Sequence, residues 1–312
     1  MRFASGLCLL CLAAACGGGT PAPARPAPAA AAPAPAARAP LVLSSARVNG
    51  TTLAYRVVGD SGTPVVFVHG SLGDQGYWDA QVATFAQTHR VLVYSRRYHP
   101  PNPAVDDAQT YSPMLHAEDL AALLLQLELA PAHVVGESYG AYTALVLAME
   151  HPELVRSVVL GEPPIMPLLT RTPEGDALRR NYVTTTLDVA RAAFSRGDSV
   201  AALTAFLRGE GLAAGPGLGA TMSHVFEMRR EMLASRDQYM PPLLCARLEA
   251  LHTGVLLVRG DRSPPVFQAI TTELGRCLQN DSTATIPAAG HWMNRSNPSY
   301  YNQLVLRYIA DH

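Results

Sequence analysis

A serine near the middle of the sequence has the surroundings of an enzymatic nucleophile. Ser138 lies in the motif Gly136-Glu137-Ser138-Tyr139-Gly140, which ends an apolar segment beginning at residue 132 and runs directly into a helix-forming segment. A serine at a sharp strand-to-helix turn has its hydroxyl lifted clear of the sheet, and the flanking glycines avoid collisions with neighbouring backbone. The motif in this context predicts that Ser138 is a nucleophile.

A serine hydroxyl needs a base, and His291 is the histidine best placed to serve. It lies in Ala-Gly-His-Trp, after the last predicted strand and before the final predicted helix. An imidazole there can take the serine proton and return it to the leaving group. Competing histidines elsewhere in the chain lack this loop setting, so we expect His291 to be the base.

Short apolar runs alternate with helix-forming segments over most of the chain, which predicts the elements that position these residues. Asn49-Gly50 predicts a tight hairpin between the first two strands. Apolar runs of this length suit strands buried on both faces, and the helices between them imply parallel crossovers. We therefore expect an α/β fold with a mostly parallel central sheet flanked by helices. The predicted buried strands are PVVFVHG, RVLVYS, AHVVGES and VRSVVLGE, and two more strands are predicted at TGVLLVRGD and TATIPAAGH.

Four blocks of the sequence occur in the order and spacing of a known family. They are VVFVHGSLGD, HVVGESYGAYTALVLAMEHPELVRSVVL, GVLLVRGD and PAAGHWMNRSNPSYY. On these blocks, residues 45–312 resemble the α/β-hydrolase superfamily. The resemblance implies the α/β-hydrolase fold, and it implies that His291 is the triad histidine. It also implies an oxyanion hole formed by the backbone N–H groups of Tyr139 and Ser71, with the N–H of Leu72 as the alternative to that of Ser71.

The carboxylate that should orient the histidine has two candidates. Family members usually carry it after the next-to-last strand, where this chain has Ser263 at the usual position and Asp261 two places earlier. A second position, used in part of the family, follows the strand after the nucleophile helix and here holds Glu162. We expect Glu162 to be the acid, with Asp261 as the alternative.

The alternation of strand and helix is interrupted between residues 163 and 240. Helices are predicted at 174–196, 198–209 and 217–237. In the superfamily that the chain resembles, an insertion at this place forms a helical cap over the nucleophile, where it excludes water and sets selectivity. The expected division is therefore a hydrolase core at 41–162 and 241–312 with a cap at 163–240.

The first 40 residues have the pattern of a targeting segment followed by a linker. Arg2 precedes a short apolar run within residues 1–15, as in a secretory signal peptide. Cys16-Gly-Gly-Gly resembles the start of a mature bacterial lipoprotein, in which the cysteine is acylated; ordinary signal cleavage is the alternative. Residues 16–40 are mostly Ala and Pro, as in an extended linker. We expect export across the inner membrane and an anchor at Cys16, with a periplasmic or extracellular protein otherwise.

The composition of the chain limits the kinds of molecule that the protein is expected to bind. The net charge is −1 without runs of like charge, so nothing favours nucleic acid. We expect a small, largely apolar substrate, and the membrane only through the N-terminal anchor. The sequence has no recognisable motif for a metal ion or an organic cofactor, and neither is expected. Of the five cysteines, Cys245 and Cys277 lie in the folded part; separate buried thiols are favoured over a disulfide.

These observations together predict a serine hydrolase that cleaves a small ester through an acyl-serine intermediate, as in carboxylesterases. The same triad could instead serve a C–C bond hydrolase, an amidase or a perhydrolase. A different class also remains open, namely a small-molecule receptor built on the hydrolase fold.

Overall fold

The computed structural model describes residues 43–107, 111–212, 218–234 and 245–312. Eight strands in the described residues form one sheet in the order β1-β2-β4-β3-β5-β6-β7-β8. The strands are β1 (Ser44–Val48), β2 (Thr51–Val58), β3 (Pro64–Val68), β4 (Arg90–Tyr94), β5 (Ala132–Glu137), β6 (Val155–Gly161), β7 (Gly254–Gly260) and β8 (Asp281–Ile286).

The sheet is parallel from β4 onward to β8, and only β1 and β2 run antiparallel to their neighbours. The hairpin between β1 and β2 turns at Asn49 and Gly50, which both have positive φ, 44° and 76°. Two successive residues in this conformation match the right-handed twist of the strands they join. The hairpin and the mostly parallel sheet agree with the sequence-based expectation.

The central strands are apolar on both faces because each face is covered by helices. Within β3, Val65 and Phe67 belong to one core cluster while Val66 and Val68 belong to the other. Successive side chains of a strand point to opposite faces, so a continuous apolar run serves both layers. The edge strand β8 is mostly exposed except for Ile286.

Helices cover both faces of the sheet. The helices of the core are α1 (Asp79–Phe85), α2 (Pro113–Gln126), α3 (Tyr139–Glu150), α9 (Cys245–Glu249), α10 (Pro265–Cys277), α11 (Met293–Ser296) and α12 (Pro298–Ala310). Within the described ranges, five further helices follow β6 and precede α9, namely α4 (Pro173–Tyr182), α5 (Asp188–Ser195), α6 (Ser199–Gly209), α7 (Leu218–Thr221) and α8 (Val225–Leu233). Residues of α1 and α12 share one core cluster, whereas those of α2, α3 and α10 share the other. Two layers of helix therefore enclose the sheet.

The segment between β6 and β7, residues 163–240, is called here the helical insertion. The single helix expected at 174–196 is two helices, α4 and α5, joined by the π-helical turn Val183–Leu187. Three consecutive threonines in that turn have poor helix propensity, and the hydroxyls of Thr184 and Thr185 bond to backbone carbonyls instead. The helix expected at 217–237 is described only as α7, a 3₁₀ turn and α8.

Cys245 and Cys277 are joined in a disulfide, with their Cα atoms 4.8 Å apart. The preference for two separate thiols was therefore wrong. The two cysteines lie 32 residues apart in the chain and meet because α9 packs against α10. Packing of this kind leaves no local sequence signal.

The targeting segment and linker expected at 1–40 lie outside the described residues, as does the anchor expected at Cys16. Within the part of the chain that is described, no helix combines the length and the hydrophobicity that crossing a bilayer would demand.

Candidate active site

Ser138 occupies a strained turn between β5 and α3. Its φ and ψ are 53° and −123°, and its N–H donates to the carbonyl of Gly161 at 2.7 Å. A Cβ on Gly140 would lie 2.1 Å from the carbonyl oxygen of Val68, and one on Gly136 would lie 2.5 Å from that of Gly140. Only glycine fits at these two places, so the motif fixes the turn that presents the serine.

His291 and Glu162 form a buried pair beside this turn. Nδ1 of the imidazole lies 2.7 Å from Glu162 Oε2, and both side chains are at most 1% exposed. Because a carboxylate only accepts, Nδ1 carries the proton and Nε2 faces the opposite way. The other oxygen of Glu162 accepts from the N–H of Gly260 at 2.9 Å, and the ring of Phe267 stacks on the imidazole.

Asp261, the alternative acid, is placed elsewhere. Its two carboxylate oxygens accept from the N–H groups of Ala288 and Ala289, each at 2.9 Å. These backbone hydrogen bonds lower the pKa of Asp261. The side chain thus holds the loop that leads to His291 rather than contacting the imidazole. The structure thus places Glu162 against the imidazole of His291, whereas Asp261 bonds to the loop that carries this histidine.

The expected oxyanion donors lie at the amino end of α3 and in the loop after β3. Among the described residues, no hydrogen bond uses the backbone N–H of Ser71, Leu72 or Tyr139. Leu72 has φ of 58°, a conformation that is costly for a residue other than glycine. Ser138 and Glu162 share this strain, with φ of 53° and 46°. Strained backbone of this kind concentrates at functional sites.

Two further carboxylates face His291, and the sequence did not indicate either of them. Glu210, directly after α6 in the helical insertion, has Oε2 3.0 Å from Nε2 of His291. Glu137, the residue before Ser138, has Oε1 3.4 Å from the same nitrogen, and its Oε2 accepts from the hydroxyl of Tyr77 at 3.0 Å. Tyr182 donates a hydrogen bond to the other oxygen of Glu210. The imidazole is thus enclosed by three carboxylates.

This enclosure sets the protonation of the site. Burial by itself disfavours the imidazolium, but the carboxylates of Glu210, Glu162 and Glu137 outweigh it and hold the pKa of His291 well above its ordinary value. Burial raises the pKa of Glu137 to about 7, although His291 and Tyr77 oppose the change. The geometry described here therefore favours a protonated histidine.

One feature of the sequence could have indicated that Glu137 belongs to the site, because Glu137 occupies the variable position of the motif next to Ser138. No feature of the sequence indicated Glu210, because its position is decided by how α6 packs over the sheet.

Glu231, also in the insertion, accepts a hydrogen bond of 2.6 Å from the hydroxyl of Ser71. The insertion therefore contacts the site at two points.

A cleft of about 490 Å³ lies between the helical insertion and the core, and its lining residues include neither Ser138 nor His291. Its apolar lining includes Leu72, Leu207, Leu212 and Trp292, and Tyr77 and Arg295 add polar groups. A pocket of this size and mixed lining can hold a small organic molecule.

The sheet is mostly parallel and enclosed by helices, and Ser138, Glu162 and His291 follow the carboxyl ends of its strands. This is the architecture of a hydrolytic enzyme. The chain belongs to the alpha/beta hydrolase family, whose profile matches residues 65–304. The prediction of fold and family is confirmed.

Individual relatives agree with this assignment. The sn-1-specific diacylglycerol lipase ABHD11 of Mus musculus is 26% identical over 272 residues, which cover 83% of this chain and 85% of that protein. The uncharacterized hydrolase YraK of Bacillus subtilis is 32% identical over 123 residues, 39% of this chain and only 45% of that relative. Carboxylesterase CesB of Bacillus subtilis has a similar structure, with a TM-score of 0.65 at 18% identity over 88% of this chain and 93% of that one.

Proposed function

We propose that the protein is a serine hydrolase that cleaves a small, largely apolar ester through an acyl-serine intermediate. The observation that carries the proposal is the buried His291–Glu162 pair, with Nε2 of the imidazole 3.4 Å from a carboxylate oxygen of Glu137, the residue directly before Ser138 in the strained turn. The cleft, whose lining includes Leu72, Leu207, Leu212 and Trp292 beside polar residues, supports a small substrate with a hydrocarbon part. An ester is also the type of substrate that the names of two similar proteins indicate, a diacylglycerol lipase and a carboxylesterase.

Each residue has a distinct role in the proposed reaction. Ser138 Oγ attacks the ester carbonyl while Nε2 of His291 takes the serine proton, and the N–H groups of Tyr139 and Ser71 hold the resulting oxyanion. The imidazolium then protonates the departing alcohol as the acyl-serine forms. Water, deprotonated by the same imidazole, releases the acid and restores the serine. Glu162 keeps Nδ1 protonated and stabilises the imidazolium throughout.

We further propose that the helical insertion acts as a cap. Glu210 Oε2 lies 3.0 Å from Nε2 of His291, the atom that must accept the serine proton. The insertion must therefore withdraw Glu210, or neutralise it, before the base can work. Entry of substrate through the cleft, which Leu207 and Leu212 of the insertion line, would supply that displacement.

The proposal is tested on the full-length protein with short p-nitrophenyl esters and a fluorophosphonate probe. We expect ester turnover, and we expect a single phosphonylated peptide, containing Ser138, in which fluoride has been displaced. Tight ligand binding without turnover or labelling would instead identify a receptor. Labelling at another serine would refute the assignment of the nucleophile.

Substitution of Glu210 by glutamine should shift the pH dependence of hydrolysis. The carboxylate of Glu210 favours the imidazolium, and the imidazolium cannot accept the serine proton. Removing that charge lowers the pKa of His291, so the acidic limb of the kcat/KM profile should move to lower pH by about one unit or more. The measurement is kcat/KM for one ester across the pH range.

The exposed Glu249 gives a matched control, since Glu249→Gln makes the same chemical change on the surface. Its profile should superimpose on that of the unchanged protein. An acidic limb that stays in place in Glu210→Gln would show that Glu210 does not face the base in the free enzyme, whose protonation kcat/KM reports.

We also propose that the protein is exported and anchored through Cys16. The support is the targeting pattern of residues 1–15 and the Ala/Pro-rich linker of residues 16–40. Mass spectrometry of the mature N-terminus after expression in a bacterial host should find an acylated Cys16. An unmodified N-terminus beginning at another residue would contradict the anchor.

A further inference from the structure

Three buried side chains converge where the helical insertion meets the core, away from the groups assigned to ester hydrolysis. His99 lies in the loop after β4, and His224 and Glu227 lie at the start of α8 in the insertion. The exposed fractions of the three residues are 0%, 7% and 1%. Each offers one ligand atom, and the three atoms lie within 4.8 Å of one another.

Two of the three separations between these atoms can be compared with those around a tetrahedral metal ion. Glu227 Oε1 lies 3.6 Å from Nδ1 of His99 and 2.5 Å from Nδ1 of His224. Ligands about 2.0–2.2 Å from a zinc ion lie roughly 3.3–3.5 Å apart. Shifts of about 1 Å or less around Glu227 would complete the arrangement.

The surroundings orient the cluster before any ion arrives. Nε2 of His99 bonds to the hydroxyl of Tyr111 at 2.9 Å, whereas Nδ1, the atom that would bind the ion, lies 2.8 Å from the carbonyl oxygen of Gly73, a contact that the ion would replace. His224 and Glu227 are one helical turn apart, so both face the same side. A second contact that fixes a histidine ring is a regular feature of metal sites.

Charge at the cluster is compatible with a cation. Glu227 supplies one negative charge at the point where the ion would lie. The positive charge of Arg96 opposes a cation, since Arg96 is close enough to disfavour the charged form of His99. The carboxylate of Glu231 interacts electrostatically with the same guanidinium and so offsets part of its positive charge. His224 also lines the cleft, which gives an ion a route from solvent.

We propose that His99, His224 and Glu227 bind a divalent transition-metal ion, with zinc best suited to two imidazoles and one carboxylate. The ion would join the loop after β4 to α8 and so tie the helical insertion to the core. The site is distinct from the proposed triad, because none of its three ligands contacts Ser138, His291 or Glu162 in the described structure, although His224 also lines the cleft.

The test uses the full-length protein, stripped with a chelator and titrated with zinc. We expect the unfolding temperature to rise by about 5 °C at saturating zinc. We also expect elemental analysis to find one more bound zinc per chain than in His224→Ala or Glu227→Gln. Both variants should lose the thermal rise, whereas His252→Ala, at an exposed histidine outside the cluster, should keep it.

Glu227→Gln guards against a folding artefact, because an amide oxygen can still accept from His224 while binding zinc poorly. Circular dichroism of the metal-free variants establishes that they are folded. The site is refuted if zinc does not stabilise the unchanged protein, or if folded Glu227→Gln binds zinc as the unchanged protein does. A hydrogen-bonded structural cluster would then be the correct description.

Discussion

Ser138→Ala is expected to lower kcat/KM for ester hydrolysis by at least about 10⁴-fold, because no acyl-enzyme can form without the hydroxyl. The same variant should show no covalent labelling by the fluorophosphonate probe. The fold should survive, since alanine is smaller than serine and the hydroxyl is not among the described hydrogen bonds. Steady-state kinetics and intact mass measure the two effects.

Ser263→Ala is a matched control for this experiment. Like Ser138→Ala, it removes a buried serine hydroxyl. Ser263 lies at the position where members of the α/β-hydrolase family usually carry the triad acid. Its Oγ has no hydrogen-bond partner among the described residues, so we expect little change in activity or stability. Residual hydrolysis above about 1% in Ser138→Ala would mean that a different group is the nucleophile.

Glu162→Gln is expected to reduce kcat by at least about 10²-fold, with a smaller effect on KM. Glutamine keeps an oxygen for the N–H of Gly260 but loses the negative charge at Nδ1 of His291. The imidazole is then free to adopt the wrong tautomer, and its cationic form loses a stabilising partner. The rate of fluorophosphonate labelling should fall in parallel, because it depends on the same base.

Asp261→Asn separates the two candidate acids, since it makes the equivalent change at the alternative position. Asp261 holds the histidine loop through two backbone N–H groups, and an asparagine oxygen can retain one of these hydrogen bonds. We expect a loss of about tenfold or less. A severe loss in Asp261→Asn together with a mild loss in Glu162→Gln would reverse the assignment.

Much of the fold could be predicted because its signals are local. The apolar runs at β3, β4 and β5 predicted buried strands, and Asn49-Gly50 predicted the hairpin at the edge of the sheet. The glycines of the motif around Ser138 predicted the sharp turn, since a side chain at Gly136 or Gly140 would collide with backbone.

Contacts between distant parts of the chain were predicted poorly. The disulfide of Cys245 with Cys277 was expected to be two thiols, because nothing near either residue reveals the packing of α9 on α10. The π-helical turn between α4 and α5 was missed because the helical pattern continues through it. The position of Glu210 at His291 also depends on the path of the whole insertion.

The sequence by itself determined the α/β architecture, the turn at Ser138 and the loop of His291, because strand, helix and turn preferences act over a few residues. It left Glu162 and Asp261 as competing acids, and it gave no sign of Glu210 or of the cluster around Glu227. The tertiary structure decided which carboxylates meet the imidazole. The physical reason is that an interaction over 3 Å depends on where residues lie in space, and packing can bring together residues more than 100 positions apart.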